Sequence, residues 1–141
     1  MTVREYLERY REAERLARLS RIEYQKELDL IDAVRSPLAG DGTGHGSGIS
    51  KTTENKALRL ADRAREVQRA EAEALQVMRE VYDVIRKVPG NPGDVLYERY
   101  INLKSGEEVA KAIKYSKRQA HRFHDEGLSY LQDVIEWHSE T

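Results

Sequence analysis

The sequence predicts an all-α protein, a long antiparallel helical hairpin followed by a C-terminal helix-turn-helix domain. Three observations predict it. Apolar and small residues recur at alternating steps of three and four along two long stretches, the spacing of one helix face. Only 3 prolines and 1 Phe occur in 141 residues, too few turns and too little β-forming bulk for a sandwich or barrel. Ser/Thr-x-x-Glu/Gln capping boxes stand at Thr2, Ser105 and Ser116, where helices would begin. Hydrophobic residues make up 39% of the chain and charged residues 35%, which suits helices with one apolar stripe and a wide solvated face.

The first helix is expected over residues 2–35, opened by Thr2 and Glu5. Its stripe is Val3, Tyr6, Tyr10, Ala13, Ala17, Ser20, Tyr24 and Ile31, with a gap at Glu27. Leu7, Leu16, Leu19, Leu28 and Leu30 add a second line. Such a helix is roughly 45–50 Å long. Tyr6, Tyr10 and Tyr24 are expected in a helix interface rather than as a platform for stacked bases. Ser36-Pro37 ends the helix, because the residue before proline is pushed out of the α region.

GDGTGHGSG, Gly40 to Gly48, puts five glycines in nine residues and predicts a flexible loop over 36–52. Its glycine spacing does not fit a phosphate loop. A second helix is expected over 53–88, with the stripe Leu60, Ala64, Val67, Glu71, Ala74, Met78, Val81, Ile85 and Val88. Glu71 is its one polar intruder. The two helices read as an antiparallel hairpin, residues 1–88. Their thin Ala- and Tyr-rich interface predicts that a second hairpin covers the remaining apolar surface, in a homodimer or a larger oligomer.

Residues 89–141 form the second expected domain. Pro89-Gly90-Asn91-Pro92 stops the second helix. Asn91 is expected to cap the next, with Pro92 at its first position and Asp94 to Ile101 as its body. Ser105 with Glu108 opens a short helix to about Ile113, Lys114-Tyr115 is a tight turn, and Ser116 with Gln119 opens the last helix, to about Ile135. The inner face of this unit is expected to be Leu96, Tyr100, Val109, Ala110, Ile113, Tyr115, Ala120, Phe123, Leu128 and Leu131. Trp137 is expected to pack on the second long helix or a partner subunit.

Lys plus Arg is 24 and Asp plus Glu is 25, a net charge of -1, so the whole chain is not a basic nucleic-acid coat. A local basic surface does exist. Lys114, Lys117, Arg118 and Arg122 fall between 114 and 122 with no acid among them, and acids return at Asp125 and Glu126. The N-terminal part of a recognition helix meets base edges in the major groove. Arg can grip guanine with both arms, and Gln can do so with adenine. The base-reading candidates are therefore Lys117, Arg118, Gln119, His121 and Arg122. The phosphate candidates are Lys104, Lys114 and Ser116, the last through N–H groups at a helix N-terminus.

Other chemistry is not expected. No Ser/His/Asp arrangement stands out, so no catalytic residue, enzyme activity, small-molecule substrate or cofactor is read from the sequence. His121 and His124 share a helix face, but without a third ligand of suitable spacing no metal is expected. His124 is expected at the domain edge. The chain has no Cys, which excludes a disulfide scaffold and thiolate sites. No apolar run approaches the roughly 18 residues of a membrane span, and the N-terminus has no signal-peptide core. No membrane contact and a cytoplasmic location are expected.

The segment LYERYINLKSGEEVAKAIKYSKRQAHRFHDEGLSYL, Leu96 to Leu131, resembles region 4 of bacterial sigma factors. The shared pattern is an aromatic "ERY" helix, "S-x-E-E-V-A", a "Y-S" turn and a basic helix ending in "G-L-x-x-L". The whole chain is similar to small phage proteins of the ArpU/RinA type, regulators of late genes. These join a long helical half and an "SP-x-x-G" loop, here Ser36-Pro37-Leu38-Ala39-Gly40, to a sigma-like helix-turn-helix. Gly106 departs from the bulky residue often found after the serine, and residues 133–141 are acidic where many DNA-binding tails are basic. The resemblance implies a transcriptional regulator that binds double-stranded DNA in a bacterial host cell, with host RNA polymerase as a further partner. Two alternatives stay open: a small terminase-like DNA-packaging protein, and a sigma-mimicking adaptor that binds only protein.

Overall fold

A computed structural model describes residues 1–34 and 51–134, and all regular structure among them is helical. The glycine-rich stretch Gly40 to Gly48 and Trp137 lie outside the described residues. Helix α1 spans Val3–Val34 and starts where the Thr2 hydroxyl accepts the Glu5 backbone N–H at 3.1 Å. Helix α2 spans Lys51–Ile85. It stops short of the expected Val88. The N–H groups of Lys87 and Val88 bond back to the carbonyls of Val84 and Ile85, at 3.1 and 2.9 Å, in a tightened final turn. Pro89 disfavours the α conformation at Val88 and so ends the regular ladder early.

The chain divides into two compact units, Met1–Glu14 with Glu73–Thr141, and Arg15–Ala72. The division does not follow the expected boundary at 88/89. The first turns of α1 and the last turns of α2 share one core with the C-terminal helices, because their apolar stripes are buried together there.

In the unit Arg15–Ala72, Ala17 is buried, and Ser20, Tyr24, Glu27, Leu28 and Ile31 are half-buried. The stripe therefore runs through Glu27 without a gap. On α2, Leu60, Ala64 and Val67 are half-buried. Arg21 donates to Glu71 at 3.1 Å, which accounts for the polar intruder in the α2 stripe. Leu28 and Ile31 share a cavity of about 380 Å³ with Ala57 and Leu60. Three leucines of the second line, unlike Leu28, do not join this interface. Leu16, Leu19 and Leu30 are 48%, 42% and 63% exposed. At about 100° per residue they fall off the stripe centred on Ala17 and Tyr24.

In the other unit, Val3 and Leu7 of α1 pack with Val77, Val81, Ile85 and Val88, and with Leu96, Tyr100 and Leu131 from the C-terminal helices. Leu7, Val81, Leu96 and Leu131 are 0% exposed. Burial of each such side chain contributes about 1.5–3 kcal/mol. Tyr6 and Tyr10 pack against this cluster as interface residues. Arg9 bonds Glu80 at 2.7 Å and lies 4.8 Å over the Tyr6 ring.

Helix α3 spans Gly90–Leu96 and is entered through Pro89, at φ −83° and ψ 157°, and Gly90, at φ +72°. Asn91 does not cap it. Its side-chain amide instead donates to the Tyr115 hydroxyl at 3.1 Å. Pro92 still lies in the first turn, where its missing N–H costs nothing. Gly93 lies so close to the preceding turn that a Cβ would sit 2.1 Å from the Val88 carbonyl oxygen.

The single α-helix expected over 94–101 is instead α3 followed by a π-helical turn, Tyr97–Ile101. The Asn102 N–H reaches back five residues to the Tyr97 carbonyl, at 3.1 Å. Within this wider turn Tyr100 is 2% exposed while Tyr97 faces out, edge-on to Tyr82. Leu103, at φ 57°, and an Arg99 bond to the Lys104 carbonyl at 3.0 Å lead the chain to the next helix.

Candidate nucleic-acid interface

Helix α4 spans Gly106–Ile113 and has a complete capping box. The Ser105 hydroxyl accepts from the Glu108 N–H at 3.3 Å, and the Glu108 carboxylate accepts from the Ser105 N–H at 2.9 Å. Those bonds hold the Glu108 carboxyl below its ordinary range. Lys114 ends α4 in the left-handed region, at φ 64° and ψ 41°. The Tyr115 N–H then reaches back to the Ala110 carbonyl at 3.0 Å, which satisfies an otherwise open helix end. Ser116 accepts the Gln119 N–H at 3.1 Å and opens α5, Lys117–Val134. Two helices thus flank the three-residue turn Lys114–Ser116.

Small residues let these helices pack. Ala110 and Ala120 are buried. A Cβ on Gly127 of α5 would stand 2.8 Å from Leu96 Cδ1 of α3. Val109 and Leu131 are also buried, and Ile113, Phe123 and Leu128 are half-buried. Tyr115 departs from the expected inner face. It is 44% exposed, because its ring stands edge-on to Phe123 and its hydroxyl turns out to Asn91.

The buried line of α5 is Ala120, Gly127 and Leu131. At about 100° per residue, Arg118 and Arg122 point away from that line, one turn apart. Both are exposed, as is Lys114, and none of the three has an ion-pair partner among the described residues.

The other candidates are engaged by the chain itself. Lys117 lies 2.7 Å from Glu107, holding that carboxyl below its ordinary range. Both groups are strongly exposed, so the pair is screened by water and easily exchanged for another anion. Lys104 sits on the Glu98 carboxylate, which Asn102 also bonds. Gln119 is half-buried, and the Ser116 hydroxyl is occupied by its own cap. His121 is exposed and lies 3.3 Å from Asp125.

His124 is not at the domain edge. Its Nε2 lies 2.6 Å from the Tyr100 hydroxyl, its Nδ1 is 3.3 Å from Asp125, and its ring stacks on Tyr100. Burial pushes its pKa down, against the pull of Asp125, and burial pushes the Tyr100 phenol up. Asp125 is a third group within ligating reach, which the spacing did not reveal. One ligand atom from each of His121, His124 and Asp125 lies within 4.8 Å of the others.

Beside these imidazoles is a cavity of about 260 Å³. Arg4, Arg99, Lys117, His121 and His124 line it over a floor that includes Val95 and Val109. Arg4 and Arg99 are absent from the sequence-derived candidates. Nothing in their spacing links positions 4, 99 and 117, which only the packing of α1, the π turn and α5 in one unit brings together. No family model, curated protein or solved structure matches the chain. No described helix is long and apolar enough to cross a membrane.

Proposed function

We propose that the chain is a sequence-specific DNA-binding transcriptional regulator of phage type that activates late genes. The unit α4–turn–α5 acts as a sigma-like helix-turn-helix, with α5 as the recognition helix. One observation carries this reading. Arg118 and Arg122 stand on the outward face of the first turns of α5 without a partner among the described residues, beside an equally free Lys114. Such a ridge can enter a major groove and present two guanidinium forks to base edges. Asp125 and Glu126 begin the next turn, where the helix would leave the groove.

The long helices are proposed to form a hairpin that dimerises. Exposed Leu19 and Ile22, on the side of α1 away from its buried stripe, offer an apolar surface for a second copy. A homodimer would place two recognition helices on successive major grooves. RNA polymerase is proposed as the partner that converts binding into activation.

The test is fluorescence anisotropy with duplex fragments of the genome that encodes the protein, titrated across salt. A site bound well above background, with log K falling linearly in log salt, supports the reading. Absence of binding at low salt overturns it and leaves the adaptor. A large ring on DNA, rather than a dimer at a promoter, would favour packaging.

A further inference from the structure

The cavity beside His121 and His124 holds an unusual concentration of positive charge. Three cationic side chains line it: Arg4 from the first turn of α1, Arg99 from the π turn, and Lys117 from the start of α5. No carboxylate is among the described residues that line it. The acids that touch these cations, Glu8 on Arg4 and Glu107 on Lys117, lie outside the lining. Each guanidinium keeps donors in hand. Arg4 uses Nε for Glu8 at 3.2 Å, and Arg99 uses Nη1 for the Lys104 carbonyl at 3.0 Å.

The field of these cations acts on the groups around the cavity. Arg4 adds to the depression of the His124 pKa, and Arg4 and Arg99 oppose the rise at Tyr100. Gly106 also lines the cavity, at the first turn of α4, where helical N–H groups lack an internal acceptor. A Cβ there would meet nothing within 4 Å, so the missing side chain leaves open space rather than relieving a clash.

We propose that this cavity is a binding site for a phosphate-class oxyanion, gripped by Arg4, Arg99 and Lys117. Three cations without a lining acid are matched by an anion of more than one charge, and phosphate monoesters carry about −1.5 to −2 at neutral pH. Arginine forks fit the oxygen geometry of phosphate in pairs. His121 lines the wall with one ring nitrogen on Asp125, while both ring nitrogens of His124 are already engaged, by Tyr100 and Asp125. A divalent metal on His121, His124 and Asp125 is the competing occupant. It is disfavoured because two guanidinium groups and an ammonium share the same small space. The phosphate has two sources, the DNA backbone, whose diesters bring a single charge each, or a small phosphorylated effector, whose monoester brings more, and the site's existence does not depend on the DNA-reading proposal.

The test uses the full chain and inorganic phosphate, followed by calorimetry and by amide NMR shifts at Gly106, Lys117 and His121. Chloride at matched ionic strength is the comparison. Saturable shifts at these positions are expected, with Kd raised roughly tenfold or more in Arg4→Gln and Lys117→Gln, the cost of about one charge-assisted bond. Arg99→Gln is also expected to lose phosphate. Because Arg99 also closes a loop, the exposed Arg4 and Lys117 keep the test clear of misfolding. Shifts no larger than chloride gives, or an equal Kd in the Arg4 and Lys117 variants, would overturn the site. So would zinc binding at His121 and His124 without phosphate binding. Repeating the titration with saturating duplex separates the sources. Displacement of phosphate by DNA assigns the site to the backbone, and unchanged phosphate binding assigns it to a small effector.

Discussion

The Tyr100 hydroxyl lies 2.6 Å from His124 Nε2, tying the π turn to α5 behind the proposed DNA-reading surface. Burial lowers the His124 pKa, while Asp125 opposes and Arg4 and His121 reinforce that shift.

This pair predicts an acid-sensitive fold. Free His titrates near about 6.5, so the unfolded chain takes up the proton first as pH falls. The His124 contribution is whole above about 6.5 and is lost as pH drops from there through the lower folded value. Urea midpoints measured from about pH 8 to 5 are expected to fall on the acid side, and His124→Gln is expected to flatten that limb. Identical slopes in the two proteins would remove His124 as the cause.

On α5, Arg118→Ala and Arg122→Ala are each expected to weaken specific DNA binding by roughly tenfold or more, the worth of a good base contact. Thermal midpoints should stay near wild type, because both side chains are exposed. An unchanged footprint would remove these residues from the interface.

Lys114 should behave differently. As a phosphate contact it gives no sequence preference, so Lys114→Ala should weaken binding to all duplexes alike. The slope of log K against log salt should shrink by about 0.9. A change in sequence preference would instead place Lys114 at a base.

Gly127 and Gly93 test the packing of α3. Gly→Ala inside a helix gains about 1 kcal/mol of propensity. At Gly127 the new Cβ would stand 2.8 Å from Leu96 Cδ1, and Leu96 is 0% exposed. Overpacking of this kind costs about 1–3 kcal/mol, so Gly127→Ala should be net destabilising. Gly93→Ala should be worse, since its Cβ would meet the Val88 backbone oxygen at 2.1 Å. Denaturant unfolding of both variants would show the order, and a stabilised Gly93→Ala would contradict this packing.

The α4 start rests on Ser105. Ser105→Ala is expected to cost about 1 kcal/mol, the usual worth of an N-cap side chain. Hydrogen exchange should quicken first in the opening turn of α4, and unchanged protection there would show that the cap contributes little.

Helix content was legible in the sequence because capping boxes and three-four spacing are local. The Ser105–Glu108 box and the Ser116 cap occur as the residues imply. The α2 stripe did too, from Leu60 through Val81 to Ile85. Less legible were the features that depend on what lies opposite. Leu16 and Leu7 share one sequence line, yet Leu7 is 0% exposed and Leu16 48%. Asn91 looked like a cap and became a partner of Tyr115, since a side-chain amide takes whichever acceptor the fold brings near.

The sequence by itself determined that the described chain is helical, where most helices start, and that basic residues gather between 114 and 122, because periodicity, caps and charge are properties of neighbours in the chain. Tertiary structure decided which cations find a partner among the described residues. It paired Lys117 with Glu107 and Lys104 with Glu98, and left Arg118 and Arg122 outward. It also set Arg4 and Arg99 around one cavity with Lys117, and drew His124 inward onto Tyr100. Contacts between positions this far apart in the chain arise only when separate apolar stripes are buried in one core, and no local pattern encodes which stripes will meet.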